Sequence, residues 1–373
     1  MFRFLPASIK CIEKRQLGKD GPMVSVIGLG CMGMSEFYGS VNPDECRKTL
    51  KKALKLGCNF FDTAAIYGLG KNEEFLGEFL ANVPRESYVL ATKCGVRRDP
   101  ENLMKRIIDN SAEHIKKSCE ESLARLKLDY IDLYYLHRIA NNGENIKDSM
   151  QAMAELLTEK KIRYVGLSEA SKETIEQANE ALLQFTDGKH QITAVETEYS
   201  LMSRTPEIDG VLDVCRELGI GFVPYSPLGR QYLTGLDKTA ESLEPEDVRR
   251  NFPRFQSENT ENNQRIVRQI VEMAEEKECT PAQLCLAWVL AQGDNIVPIP
   301  GTKRVRYLEE NLLAFWVKLT PADLHRLDEI APIGSFSGER YALSLMKDNG
   351  FKTEMEIIEE HSKARPLVAK IKY

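Results

Sequence analysis

Eight short apolar runs punctuate this chain, and segments with helical periodicity lie between them. The runs are VSVIGLG (24–30), CNFFDT (58–63), SYVLATK (87–93), IDLYYLH (131–137), RYVGLS (163–168), ITAVETEYS (192–200), IGFVPYS (220–226) and NIVPIPG (295–301). Near-continuous apolar character is what a parallel strand covered on both faces requires. The intervening segments carry helix punctuation. PDECRKTLKKALKLG opens on Pro-Asp and stops at Gly57, while Ser111 and Ser171 can cap the helices that follow them. TPAQLCLAWVLAQG has a Thr cap, a Pro at the first helical position and a closing Gly. Eight such alternations predict an α/β chain folded as a (β/α)8 TIM barrel.

Three segments stand outside the alternation. EKRQLGKDGPMV places turn residues between two short stretches, which predicts a hairpin capping the barrel bottom. Residues 229–262 are polar without a clear period and are expected to form a long loop. Residues 331–373 form a tail, so the chain is expected to be one domain, residues 1–373, with its core at about 14–330.

The net charge of −6 argues against nucleic acid as a main partner. No apolar run is long enough to cross a bilayer. The opening MFRFLPASIKCIEKR has too short an apolar stretch for a secretory signal. Nine cysteines with no Cys-x-x-Cys pair predict reduced thiols, no metal site and a cytoplasmic chain. The sequence says nothing of oligomeric state.

In a barrel of this kind the active site lies at the C-terminal ends of the strands. Those ends carry Asp62 with Tyr67 just beyond it, Lys93, His137, Ser168, Glu196, Tyr225 with Ser226, and Gly301 with Thr302 and Lys303. Each has a bland role of its own: a turn cap, a solvated lysine, a satisfied core histidine. Four proton-active groups at successive strand ends are harder to explain by packing. A tyrosine, with a pKa of about 10, is a weak acid at neutral pH, and a nearby ammonium lowers that value. Lys93 can supply the ammonium, Asp62 can fix Lys93, and His137 can orient a substrate oxygen. The set suits proton delivery to a carbonyl oxygen while hydride arrives at carbon.

GLGCMG, with Gly28, Gly30 and Gly33, imitates a dinucleotide-binding fingerprint, and Asp62 ends the next strand. The helix that should open at the third glycine is displaced by MSEFYGSVN, and a Rossmann fold leaves Tyr67, Lys93 and His137 without purpose. In a barrel the same glycines make a loop, with Gly30, Cys31 and Met32, whose backbone lies close to a ligand. Ser226, Pro227, Leu228, Gly229 and Arg230 after the seventh run can wrap a pyrophosphate. Gly301, Thr302, Lys303 and Arg304 open a helix after the eighth, and a helix N-terminus with cations is an anion site.

From about Lys14 to Ile330 the sequence resembles the aldo-keto reductases. The blocks GLGCMGMS, FFDTAAIYG, ATKCG, DLYYLHR, VGLSEA, EYSL, YSPLGR and IPGTKR…LEENL occur in order. The resemblance implies a barrel that uses NADPH to reduce a small-molecule carbonyl substrate. It carries the family tetrad to Asp62, Tyr67, Lys93 and His137, with Tyr67 as general acid. It also implies that Tyr225 stacks on the nicotinamide, that Ser168 and Glu169 hold its carboxamide, and that Glu310 and Asn311 touch the adenine. Two positions depart from the common pattern: Glu169 stands where Asn is usual, and Glu196, expected to face the nicotinamide carboxamide, stands where Gln is usual. An alternative from another class is a cofactor-binding regulatory subunit resembling potassium-channel β-subunits. A barrel glycosidase, pairing Asp62 with Glu196 or Glu169, would leave Lys303 and Arg304 unexplained.

Overall fold

In a computed structural model, residues 11–364 are described except 37, 100, 102–104, 236–238, 246, 344–345 and 347–351. The first ten residues, which open the stretch judged to lack a secretory signal, and the last nine of the tail lie outside the described residues. Among the described residues no helix is long and apolar enough to cross a membrane.

Strands β1 (Lys14–Gln16) and β2 (Met23–Ser25) pair antiparallel as the expected hairpin. Leu17 and Val24 pack among the residues that fill the barrel, so the hairpin plugs its lower end. Seven parallel strands follow in one sheet: β3 (Leu29–Gly30), β4 (Phe60–Asp62), β5 (Val89–Cys94), β8 (Ile131–Leu136), β9 (Ile162–Ser168), β10 (Ile192–Glu198) and β11 (Gly221–Tyr225). The run at 295–301 closes the barrel. Val297 and Ile299 donate their N–H groups to Phe222 and Pro224 of β11, while Pro298 accepts from Gly28 and Pro300 from Gly30 at the other edge. Pro298 and Pro300 have no N–H to return to β3. The eighth position is therefore held by single parallel bridges, Phe222 to Ile296 and Gly30 to Gly301, rather than by a full ladder.

Side chains alternate faces along a strand, and here that alternation sorts core from site. Phe60, Ala91, Leu133, Tyr135, Ala194 and Val223 fill the barrel, while Phe61, Leu90, Tyr134 and Val195 pack outward under the helices. Each inward series, continued by two residues, reaches the mouth: Phe60 to Asp62, Ala91 to Lys93, Tyr135 to His137, Ala194 to Glu196 and Val223 to Tyr225. Gly166 is required on this face, because a Cβ there would stand 2.4 Å from the Tyr135 ring.

Helices α1 (Pro43–Lys55), α2 (Lys71–Leu80), α3 (Ala112–Leu126), α4 (Ile146–Thr158), α5 (Lys172–Phe185), α6 (Val211–Leu218), α7 (Ser257–Glu276), α8 (Pro281–Ala291), α9 (Val305–Leu313) and α10 (Pro321–Ile330) surround the barrel. The predicted caps Ser111 and Ser171 accept from the backbone of His114 and Thr174, and Thr280 forms a capping box with Gln283.

The segment 229–262 departs from a plain loop. It contains 3-10 turns at Gly229–Thr234, Ala240–Ser242, Val248–Asn251 and Pro253–Phe255, and its last six residues already belong to α7. Turns this short bury no periodic face, so they leave no signal in the sequence. A small ribbon, β6 (Val96–Arg98) with β7 (Arg106–Ile108), was likewise too short and charged to be read. The tail is stitched to α7 by reciprocal bonds between Asn263 and Ser337 and by Asn262 donating to the Ser335 carbonyl.

Candidate active site

The strand ends converge on a cavity of about 1000 Å³. Its floor is made by Asp62, Tyr67, His137, Glu196 and Tyr225, with Lys93 beneath. Its far end is lined by Thr302, Lys303, Arg304, Glu310 and Asn311. The residues singled out at opposite ends of the sequence thus share one continuous space.

Lys93 organises the floor. It is 1 % exposed and donates to Asp62 Oδ1 at 2.5 Å and to the Thr63 carbonyl at 2.9 Å, with Glu196 Oε2 at 3.3 Å. Its Nζ stands 5.4 Å from the centre of the Tyr67 ring. Burial opposes the ammonium, but the charges of Asp62 and Glu196 outweigh it, so Lys93 holds its proton more firmly than an ordinary lysine. The Tyr67 ring meets the His137 ring edge to face, with centroids 5.7 Å apart at 85°. His137 is pushed well below the usual histidine range by burial and by the cations Arg138, Lys93 and Arg106. The imidazole is neutral and keeps one N–H to donate.

One sequence expectation is corrected here. Lys93 was expected to make Tyr67 more acidic. The Tyr67 phenol is instead raised, because burial outweighs the pull of Lys93, and Asp62 and Glu196 add to the rise. Burial is the larger effect, and Lys93 lowers the cost of the phenolate without reversing it.

Cys31, Ser168, Glu169 and Gly229 stand behind the cavity lining. The Cys31 N–H donates to the Asp62 carbonyl, and its own carbonyl accepts from Asn72, which also accepts from Thr63. Gly30 faces the cavity, and a Cβ there would meet the Ile299 carbonyl oxygen at 2.8 Å, so the glycine serves the closing seam as well as the ligand space. Ser168 accepts from Arg138 at 3.3 Å. Glu169, in a left-handed conformation at φ 55°, is bound by Arg340 of the tail at 2.6 Å and accepts from the Glu198 N–H. Burial disfavours its charge, but Arg340 and Arg138 bring its pKa down to about 2.

Ser226, Pro227, Leu228 and Arg230 line the wall after β11, with Met32 across from them. Ser226, Arg230 and Gln231 all have positive φ without being glycine. Strain of this kind costs about 1–3 kcal/mol per residue and concentrates where a loop must hold a ligand. The Arg230 guanidinium pairs with Glu198 at 2.7 Å. At the far end Gly301 and Thr302 lead into α9, and Arg304 occupies its N-cap. Lys303 donates to the carbonyls of Tyr38 and Ser40 at 2.7 Å each, so it braces the loop after β3 as well as facing the cavity. Gln283 of α8 donates to the Glu310 carbonyl, tying α8 to α9 at this end of the cavity.

Several site residues escaped the sequence analysis. Arg138 follows His137 directly, and its place in LHR was the signal available. Arg98 and Arg106 reach the cavity from the unread ribbon. Tyr341 lines the cavity and meets the Tyr225 hydroxyl at 3.1 Å. Nothing in the tail's sequence marks Arg340 or Tyr341.

The model of the aldo/keto reductase family matches residues 26–332. This chain belongs to the aldo/keto reductase family. It is 41% identical over 331 residues to a probable aldo-keto reductase 1 of Glycine max, covering 88% of this chain and 92% of that one. It is 42% identical over 335 residues to the aldo-keto reductase yakc [NADP(+)] of Schizosaccharomyces pombe, covering 88% and 94%. Among solved structures it resembles a glycerol dehydrogenase of Gluconobacter oxydans, with TM-score 0.74, 27% identity and coverage of 85% and 94%. A holo-form aldo-keto reductase of Bacillus halodurans follows it at TM-score 0.68 and 26% identity, covering 86% and 96%. As in that family, the fold is a (β/α)8 barrel, and the chain is an oxidoreductase.

Proposed function

We propose that this aldo-keto reductase reduces aldehydes or ketones to alcohols with NADPH, Tyr67 acting as general acid. The observation that carries the reading is the buried Asp62–Lys93 pair beneath Tyr67 and His137, on the floor of a cavity that runs to the cationic start of α9. The cavity fits an extended dinucleotide. It offers a helix N-terminus with Lys303 and Arg304 at one end, a strained loop with Ser226, Leu228 and Arg230 in the middle, and Tyr225 at the other. Glu310 and Asn311 would flank the adenine. The bound cofactor supplies hydride to the carbonyl carbon.

The chain's own residues handle the proton. Neutral His137 donates its ring N–H to the carbonyl oxygen and orients it. Tyr67, kept protonated by burial, passes its proton to that oxygen as negative charge develops. Lys93 stabilises the phenolate left behind, and Asp62 fixes Lys93. The tail, through Tyr341, forms part of the same domain's substrate wall. The test is a panel of aldehydes and ketones followed by loss of NADPH absorbance. No turnover of any carbonyl compound, with NADPH bound tightly, would favour the regulatory-subunit alternative.

A further inference from the structure

The floor of the barrel sets two carboxyl groups against one buried ammonium. Asp62, Lys93 and Glu196 come from β4, β5 and β10, and their side chains are at most 4% exposed. Lys93 spends two N–H groups on Asp62 Oδ1 and the Thr63 carbonyl. Asp62 Oδ2 and Glu196 Oε2 are buried without a hydrogen-bond partner, as is the Tyr135 hydroxyl nearby. Both carboxyl groups reach the same ammonium, at 2.5 and 3.3 Å, so they sit side by side on Lys93. Two ionised carboxylates are acceptors only and cannot bond to each other. One proton between them makes the missing bond and brings the three-group cluster from −1 to neutral, which a buried site strongly favours.

The remaining groups facing Glu196 do not offer an alternative partner charge. Tyr67 and Tyr135 are phenols held neutral chiefly by burial. Ser168 on β9 and Tyr225 on β11 are uncharged, and His137 after β8 is neutral. Arg138 is turned to the His137 carbonyl and Ser168. Glu198, two residues along β10, is matched by Arg230 and Arg254.

We propose that Glu196 is a positioning residue that carries a proton at neutral pH and donates it to Asp62, and that loss of this proton sets the upper pH limit of carbonyl reduction. Burial and the neighbouring Asp62 charge push the Glu196 carboxyl up to about 8, with Lys93 opposing. Below that value the Lys93 charge is balanced by Asp62 alone. Above it a second anion sits against Lys93, the phenolate that Tyr67 must become is less stabilised, and reduction slows. This inference rests on Tyr67 as the proton donor.

Two readouts test it. The first is infrared difference spectroscopy of the protein without cofactor, scanned from neutral to alkaline pH. Wild type is expected to show a protonated-carboxyl band that disappears as the pH rises, and Glu196→Gln is expected to lack that component. Asp209, itself raised to about 7, keeps its own band in both proteins, so the subtraction isolates Glu196. The second is the ratio of kcat at pH 7 to that at pH 9. A carboxyl with a pKa near 8 that must be protonated gives a ratio of about ten. Glu196→Gln, which retains a donor to Asp62 and does not ionise, is expected to give a ratio within about twofold of unity, whatever its absolute rate. Glu196→Leu, lacking the donor, should lose the inflection and also most of the rate at every pH. Absence of a Glu196 carboxyl band at pH 7 overturns the protonation. A band with identical pH–rate profiles for wild type and Glu196→Gln overturns the pH limit. Neither result depends on whether Tyr67→Phe is inactive, so a failure of the Tyr67 assignment is seen separately.

Discussion

Glu169 and Glu196 stand at the ends of the neighbouring strands β9 and β10, both with buried side chains, and the protein treats them oppositely. Glu169 is held ionised, with its pKa near 2, and Glu196 is pushed up to about 8. Residue type and burial are shared, so neither is the cause. The difference is the local count of cations. Around Glu169 and Glu198 the mouth gathers Arg138, Arg230, Arg254 and Arg340, with Glu354 of the tail as a further anion. Around Glu196 there is Lys93, already committed to Asp62. The tail side of the mouth is an ion network that fixes a wall. The barrel floor is a short-handed cluster in which a proton must make up the balance. The same chemistry gives rigidity in one place and proton storage in the other.

The largest effect expected on this contrast is at the floor. Tyr67→Phe should lower carbonyl reduction by about 10²–10⁴-fold, the usual loss for a general acid, while NADPH fluorescence titration stays near wild type. Retention of more than half of kcat on a good substrate would remove Tyr67 from the chemistry and with it the distinction drawn for the floor.

On the wall side, Arg340→Met strands Glu169, which is 2% exposed in its side chain. Breaking a buried pair from one side costs about 3–5 kcal/mol, and thermal or denaturant unfolding at pH 7 should show a loss of that order. The sign with pH follows from the depressed value of Glu169. Its folded pKa of about 2 lies below the ordinary 4.5, so its stabilisation is present above the ordinary value and is lost as pH falls toward 2. The gap between wild type and Arg340→Met should therefore narrow under acid. A gap that is constant with pH would mean that the ion pair does not stabilise the wall. Glu169→Gln on the Arg340→Met background should recover part of the loss.

A smaller and more selective effect is expected at the start of α9. Lys303 already serves the carbonyls of Tyr38 and Ser40, and Arg304 beside it lines the same end of the cavity, so Arg304 is expected to tell the two cofactors apart. Arg304→Ala should weaken NADPH by about 1.5–3 kcal/mol relative to NADH, the range of one charge-assisted bond. Lys303→Ala should weaken both cofactors by releasing the loop after β3. Equal losses of NADPH and NADH in Arg304→Ala would show that Arg304 does not read the 2′-phosphate. The smallest effect is expected for Tyr341→Phe, which deletes the bond to Tyr225. About 0.5–1.5 kcal/mol is at stake, and it should appear in KM for carbonyl substrates more than in kcat. A change in kcat alone would place Tyr341 with the floor rather than with the wall.

The sequence by itself determined the barrel and the list of floor residues. Strand faces follow from a period of two, and strand ends follow from where each apolar run stops, so Asp62, Lys93, His137, Glu196 and Tyr225 could be read off as a converging set. Both signals are local, written in neighbouring residues. The tertiary structure alone decided how the charges pair. Whether Lys93 faces one carboxylate or two, whether Glu169 meets an arginine 171 positions away in the tail, and whether burial or a nearby cation governs Tyr67 all depend on contacts between distant segments. Electrostatic energies fall with distance in space and depend on exclusion of water, and sequence separation records neither.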